Sequence, residues 1–184
     1  MKDKERAGEL DQYLQLLTLF GDERGWDWRR DGGFWAHVEA GTGKNLFSAV
    51  GIGARDCTLR MRKRPLSLRQ AVRWGEQHIF LTAIQPGEDR GHLLVRGALV
   101  EITHCVHHET GLFFPAVMTE KYLGHEQREP MAVNTLRHVL VTPKEIVMDP
   151  GDRVEIYGVL WPIQTVHTLD PFKNEYEIQR EADL

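Results

Sequence analysis

The sequence predicts an all-β protein: a small β-barrel with a long Gly-rich loop, followed by a second barrel-like β-module. Three observations predict it. The apolar runs are short and separated by Gly, Pro, Asn and Asp, the punctuation of a barrel or sandwich. No long amphipathic helical stretch interrupts them. One short pattern also occurs twice: Trp74-Gly75 followed by Phe80 and Thr82, then Tyr157-Gly158 followed by Ile163 and Thr165, with identical spacing from the Gly onward. Each copy has a Pro upstream (Pro65, Pro143), a polar turn downstream (Pro86-Gly87-Glu88-Asp89, then Asp170-Pro171) and a return strand ending in Arg96 or Arg180. Two related modules in tandem are expected, residues 1–108 and 109–184. Between them His107-His108-Glu109-Thr110-Gly111 allows a change of direction.

The elements follow in order. Tyr13 to Phe20 is an apolar-rich run stopped by Gly21-Asp22, and Gly25-Trp26-Asp27-Trp28 leads through Asp31-Gly32-Gly33 to a second run, Phe34 to Ala40. There Phe34, Ala36, Val38 and Ala40 share one side while Trp35, His37 and Glu39 take the other, the period of a strand. Residues 40–54 hold four glycines and a patch, Leu46, Phe47 and Val50, spaced for one or two helical turns within a long loop. Thr58 to Arg62 alternates, so Leu59 and Met61 face a core while Arg60 and Arg62 face water or a partner. Further strands are expected at Gln77–Ile84, His92–Val106, Phe113–Tyr122, Thr135–Val141, Arg153–Ile156, Leu160–Leu169 and Glu175–Arg180, with a loop through Gly124 to Pro130.

A 41% hydrophobic content over 184 residues is ordinary for a globular chain. No run approaches the roughly 20 apolar residues of a membrane helix, and the start lacks a secretory signal, so no membrane partner and a cytoplasmic site of assembly are expected. Cys57 and Cys105 are too few for a disulfide framework. The net charge of −4 conceals an asymmetry: residues 55–96 carry nine Arg or Lys against four Asp or Glu, and residues 151–184 carry three against seven. Such segregated charge suits either solvated faces or a basic surface meeting nucleic acid or an acidic neighbour in a head-to-tail ring. Arg60, Arg62, Lys63 and Arg64 form the candidate basic interaction face.

Catalytic patterns are thin. His104-Cys105-Val106-His107-His108 places four potential metal ligands in five residues, but on a strand His104 and His108 point opposite to Cys105 and His107. Closing a metal site would need Cys57, His92 or His125, and no spacing demands it, so no metal is expected. Gly41-Thr42-Gly43-Lys44-Asn45 lacks the interval and the Lys-Ser/Thr ending of a phosphate loop. Ser48 and Ser67 lie in no nucleophile elbow, and Glu101 and Asp152 read as strand or turn residues. No catalytic residue, cofactor or enzymatic activity is expected. The five tryptophans at 26, 28, 35, 74 and 161 fit a core, or base stacking beside Arg30 or Arg60.

A set of residues in order and spacing resembles a known family. It comprises Gly8-Glu9-Leu10-Asp11-Gln12, Leu16, Thr18-Leu19, Gly25-Trp26 and Phe34-Trp35-Ala36-His37-Val38-Glu39, then Gly43-Lys44-Asn45-Leu46-Phe47, the basic strand Thr58 to Arg62, and Val72-Arg73-Trp74-Gly75 leading to His78-Ile79-Phe80-Leu81-Thr82. From about residue 8 to residue 104 the chain is similar to the head–tail joining proteins of tailed bacteriophages, the head-closure (stopper) proteins and head–tail adaptors among them. Its individual motifs are degenerate, and the likeness lies in their order. The run Pro150 to Ile163 also resembles the turn–strand–turn–strand unit of these connectors.

The resemblance implies a β-barrel assembled as a homo-oligomeric ring in the virion neck. Its partners would be the portal or a portal adaptor, the tail or a tail-terminator protein, and packaged DNA in the channel. Carried over, Gly41, Thr42, Gly43, Lys44, Asn45, Leu46 and Phe47 would line or gate that channel. The chain departs from the family in length, since such proteins end near where this one reaches Val106, and residues 112–184 are an appended or duplicated module. Head closure is the implied function. The rival readings are a tail terminator or other neck adaptor, a nucleic-acid-binding β-barrel, and a zinc-dependent hydrolase that depends on His104–His108.

Overall fold

The computed structural model describes residues 10–41, 54–128 and 131–180. The protein is all-β. Twelve strands run in order: β1 (Gln12–Asp22), β2 (Gly25–Ala40), β3 (Arg55–Arg62), β4 (Ala71–Trp74), β5 (Gln77–Pro86), β6 (His92–Val100), β7 (Thr103–His107), β8 (Phe113–Arg128), β9 (Met131–Pro143), β10 (Arg153–Ile156), β11 (Val159–His167) and β12 (Lys173–Ile178). Among the described residues no helix is long and apolar enough to cross a membrane.

The chain divides into two compact units, residues 1–20, 27–49 and 54–101 in one and residues 21–26, 50–53 and 102–184 in the other. In the first, the pairings run β1-β4-β5-β6-β3-β2 and close through β1–β2. In the second they run β8-β7-β10-β11-β12-β9 and close through β8–β9. Matching β1 through β6 with β7 through β12 in order reproduces every pairing, so the two rings share one connectivity. The register agrees as well: Ala71 pairs with Phe80 and Arg153 with Pro162, each 82 positions downstream (153 less 71, 162 less 80). Both β5 and β11 carry a bulge, between Leu81 and Ala83 and between Ile163 and Thr165, again 82 apart.

The hairpins corresponding to the repeated sequence pattern refine its register by one residue. Trp74 is the last residue of β4, and Gly75-Glu76 make the turn with Gly75 at φ 61°. In β10–β11 the turn is Tyr157-Gly158, with φ 51° and 76°. One positive φ at the first position fits a type II′ turn and two in succession a type I′ turn, the two forms whose twist suits a two-residue hairpin.

Each ring buries its own core by period-two alternation. In the first unit Leu14, Leu16, Phe34, Ala36, Leu59, Met61, Ile79, Leu81 and Val95 are buried together, with Trp74 packed against them. In the second, Cys105, Phe114, Leu140, Val154, Ile156, Ile163, Tyr176 and Ile178 do so, with Trp26 and Trp161 alongside. Gly25 and Trp26 belong to the second unit although they open β2: Gly25 pairs in parallel with Phe113, and Phe113 N donates to Arg24 O at 2.9 Å.

Several elements differ from the sequence expectation. β2 starts at Gly25, since Gly32 at φ 121° is accommodated within the strand. Residues 92–106 are two strands, broken at Glu101-Ile102. The β8–β9 ladder continues through the expected loop, with Glu126 opposite Val133 and Arg128 opposite Met131. The helical turns expected near Leu46, Phe47 and Val50 lie outside the described residues.

Candidate interaction surface

β3 presents its residues alternately, so Cys57, Leu59 and Met61 are buried while Thr58 and Arg60 are half-buried and Arg62 is exposed. Lys63 and Arg64 follow as the chain leaves the strand. Lys63 N donates to Gly91 O at 2.8 Å, which fixes the backbone there. Arg64 is held from two sides: its Nη1 donates to Gly33 O at 3.2 Å, and its guanidinium carbon lies 5.4 Å from the centre of the Phe34 ring. That geometry is a cation–π contact and leaves the remaining guanidinium donors positioned in advance.

Arg62, Lys63 and Arg64 line a cavity of about 630 Å³ with Leu10, Phe34 and Trp35. Trp35 is 56% exposed and meets Tyr13 edge to face, ring centres 5.5 Å apart. The Tyr13 hydroxyl accepts from Arg30 Nη2 at 3.0 Å. Two aromatics, Leu10 and three cations therefore line one hollow, and among the described residues its lining contains no carboxylate. Among the described residues no carboxylate pairs with Arg62 or Lys63.

Arg60 stands apart from this group. It lines a hollow of about 440 Å³ with His37, Glu39, Thr58 and Leu94, and another of about 320 Å³ beside Glu88, Asp89 and His92. The basic face expected from the sequence thus resolves into a cationic trio at the Trp35 hollow and a separate arginine beside carboxylates. Of the candidate channel loop, Gly41 is described: its N–H donates to Asp56 O at 2.8 Å, next to the Ala40–Cys57 pair, so both ends of the connection between β2 and β3 are clamped. Thr42, Gly43, Lys44, Asn45, Leu46 and Phe47 lie outside the described residues.

The His104–His108 segment is mostly strand β7, with His104 exposed and Cys105 buried. Its polar partners are different from those considered in the sequence. His107 Nε2 lies 3.3 Å from Asp152 Oδ2 and Nδ1 lies 3.7 Å from Glu109 Oε2. His107, Glu109 and Asp152 could bring ligand atoms within 4.8 Å of one another, but each is already engaged. Arg153 Nε donates to Glu109 Oε1 at 2.9 Å, Asp149 N to Asp152 Oδ2 at 2.7 Å, and Thr110 N to His107 Nδ1 at 3.3 Å. The Arg153 hydrogen bond holds the Glu109 carboxyl at about 2, well below the usual range. These contacts tie turns to strands.

Both thiols are free and buried. Burial pushes both Cys57 and Cys105 up to about 12, with the Asp56 charge adding to the effect at Cys57. Four of the five tryptophans pack on core residues or, for Trp28, against Phe80 at 6.1 Å; Trp35 is the exposed one.

No protein-family model matches the chain, and no curated protein matches it. Among solved structures, a chain of the virion of a native gene transfer agent (GTA) particle is similar to it. The identity is 24% and the TM-score 0.39, with 49% of this chain and 93% of that chain covered.

Proposed function

We propose that this chain is a structural, non-enzymatic neck protein of a tailed-phage-type virion: a ring-forming connector between portal and tail that acts at head closure and retains packaged DNA. One observation carries the reading. A Gly-rich connection, residues 41–54, springs from a closed six-stranded ring between β2 and β3 with its two ends clamped together at Gly41 and Asp56. This is where the resembled family carries its channel loop. Closed rings are rigid supports, and glycines let a loop fixed at both ends change shape as DNA passes. In this reading the first ring, β1–β6, joins head to tail, and the second, β7–β12, widens the ring or contacts capsid or tail.

The partners would be the portal or its adaptor above and the tail or tail terminator below. Removing residues from the 41–52 loop is expected to leave thermal unfolding within a few degrees of the parent while filled heads lose their DNA. Tight retention of DNA by such heads would overturn the assignment. Tails of abnormal length in place of leaking heads would indicate a tail-terminator station instead.

A second reading has one observation in its favour. The hollow that joins Trp35 to Arg62, Lys63 and Arg64 has the stacking surface and charge of a single-strand binder. Tight, salt-sensitive binding of the isolated chain to oligonucleotides would favour it.

A further inference from the structure

Each of the twelve strands has a partner strand on both sides over part of its length, while β8 beyond Ala116 and β9 before His138 pair only with each other. Apart from that ribbon, copies of the chain can meet through side-chain surfaces or through segments outside the rings. One surface of that kind is the hollow of Leu10, Phe34, Trp35, Arg62, Lys63 and Arg64, about 630 Å³ in volume. Its lining joins three cations to the apolar side chains of Leu10, Phe34 and Trp35.

We infer that this hollow receives the acidic C-terminal segment of a second copy, the residues that follow β12. The sequence Arg180-Glu181-Ala182-Asp183-Leu184 matches it in chemistry. Glu181 and Asp183 alternate, so in extended form both carboxylates face one way, toward Arg62 and Lys63. Leu184 supplies an apolar group for Leu10 and Phe34 in the lining. Arg64, fixed over Phe34 and on Gly33 O, is oriented in advance as a bidentate carboxylate donor. Because hollow and segment are different surfaces, the contact is heterologous and repeats from copy to copy, which is what ring closure requires. The inference rests on the ring-forming reading and names the contact that would join neighbours in the ring.

The test uses two full-length variants, Lys63→Cys and Asp183→Cys, mixed under mild oxidation and separated without reductant. Both native thiols are buried and stay silent. Docking is expected to give about tenfold more mixed disulfide dimer than Lys63→Cys mixed with Leu169→Cys, a fully exposed control position. Raising the salt should erase the preference. Equal yields from the two mixtures would overturn the inference. So would a disulfide formed within single chains by a Lys63→Cys, Asp183→Cys double variant at high dilution, which would place the segment in its own hollow. A third overturning result is oligonucleotide binding that Arg62→Glu and Lys63→Glu abolish in a chain showing no preferred dimer, which assigns the hollow to single strands. The inference and the neck reading fail separately. A preferred dimer from a protein whose loss leaves virions normal keeps the contact and removes the neck role; leaking heads with no preferred dimer does the reverse.

Discussion

Tyr176 shows how single side chains hold this protein together. It is fully buried, its hydroxyl donates to Ile146 O at 2.8 Å and accepts from Met148 N at 3.2 Å, and Asn174 Nδ2 donates to the same Ile146 carbonyl at 2.9 Å. Tyr176→Phe leaves the Met148 N–H buried without a partner, and the expected loss is about 1–3 kcal/mol in chemical denaturation; an unchanged midpoint would show that water replaces the hydroxyl. Gly25 is constrained differently. At φ 126° it lies so close to the Phe113 backbone that a Cβ would collide with the carbonyl, so Gly25→Ala should cost about 3 kcal/mol through strain and a broken contact. The thiols set a chemical expectation: at pH 8 a thiol reagent should label neither cysteine until the protein unfolds. Their pKa is raised on folding, so stability is unaffected below the ordinary value near 9.0 and falls as pH rises toward about 12. Glu109 works in the opposite sense. Its depressed pKa stabilises the fold above the ordinary 4.5, and that contribution is lost as pH falls toward about 2. Arg153→Met should therefore weaken the protein at neutral pH, with the difference narrowing on acidification. The cationic trio was legible at this scale because Arg62, Lys63 and Arg64 are consecutive, and Trp35 because it faces outward on an alternating strand. The network of His107, Glu109 and Asp152 was not, because Asp152 is 45 positions from His107 and only the β7–β10 pairing brings them together.

At the scale of elements, strands with one buried and one exposed face announced themselves. β3 alternates as Cys57, Leu59 and Met61 inward with Thr58 and Arg60 half-exposed, and that is the signal period-two reading detects. Elements lacking that contrast were missed or misjudged. β4 is four residues long, too short to show a period. β2 runs through Asp31-Gly32-Gly33, residues that ordinarily break strands, and the β8–β9 ladder runs through polar residues whose pairing comes from the neighbouring backbone rather than from side-chain pattern. The Trp74-Gly75 and Tyr157-Gly158 likeness pointed to the correct pair of hairpins, although the turns themselves align one residue away. Tyr157 carries the cost of its turn: it is a non-glycine residue at φ 51° with a side chain 83% exposed. Tyr157→Asn should raise stability by about 0.5–1 kcal/mol, since Asn tolerates this conformation and little packing is lost. A lower melting temperature would mean that the ring contributes more than its exposure indicates.

At the scale of the whole molecule, the notable property is one strand connectivity used twice, with hairpins and bulges at matching positions. Two such units in one chain, with cations concentrated at residues 55–96 and carboxylates at 151–184, are the features on which the proposed ring-forming connector would draw to meet unlike surfaces on either side. Charge reversal at the half-buried Arg60, beside Glu39, Glu88 and Asp89, should lower monomer stability, whereas charge reversal at the exposed Arg62 should impair assembly while leaving monomer unfolding nearly unchanged. Normal incorporation of that variant into particles would detach the basic face from assembly. The neck reading itself is tested most directly by electron microscopy of lysates from a phage carrying a nonsense mutation in this reading frame, with the DNA retained in heads measured in parallel. Empty or leaking heads beside normal free tails are expected, and a normal virion would contradict the assignment.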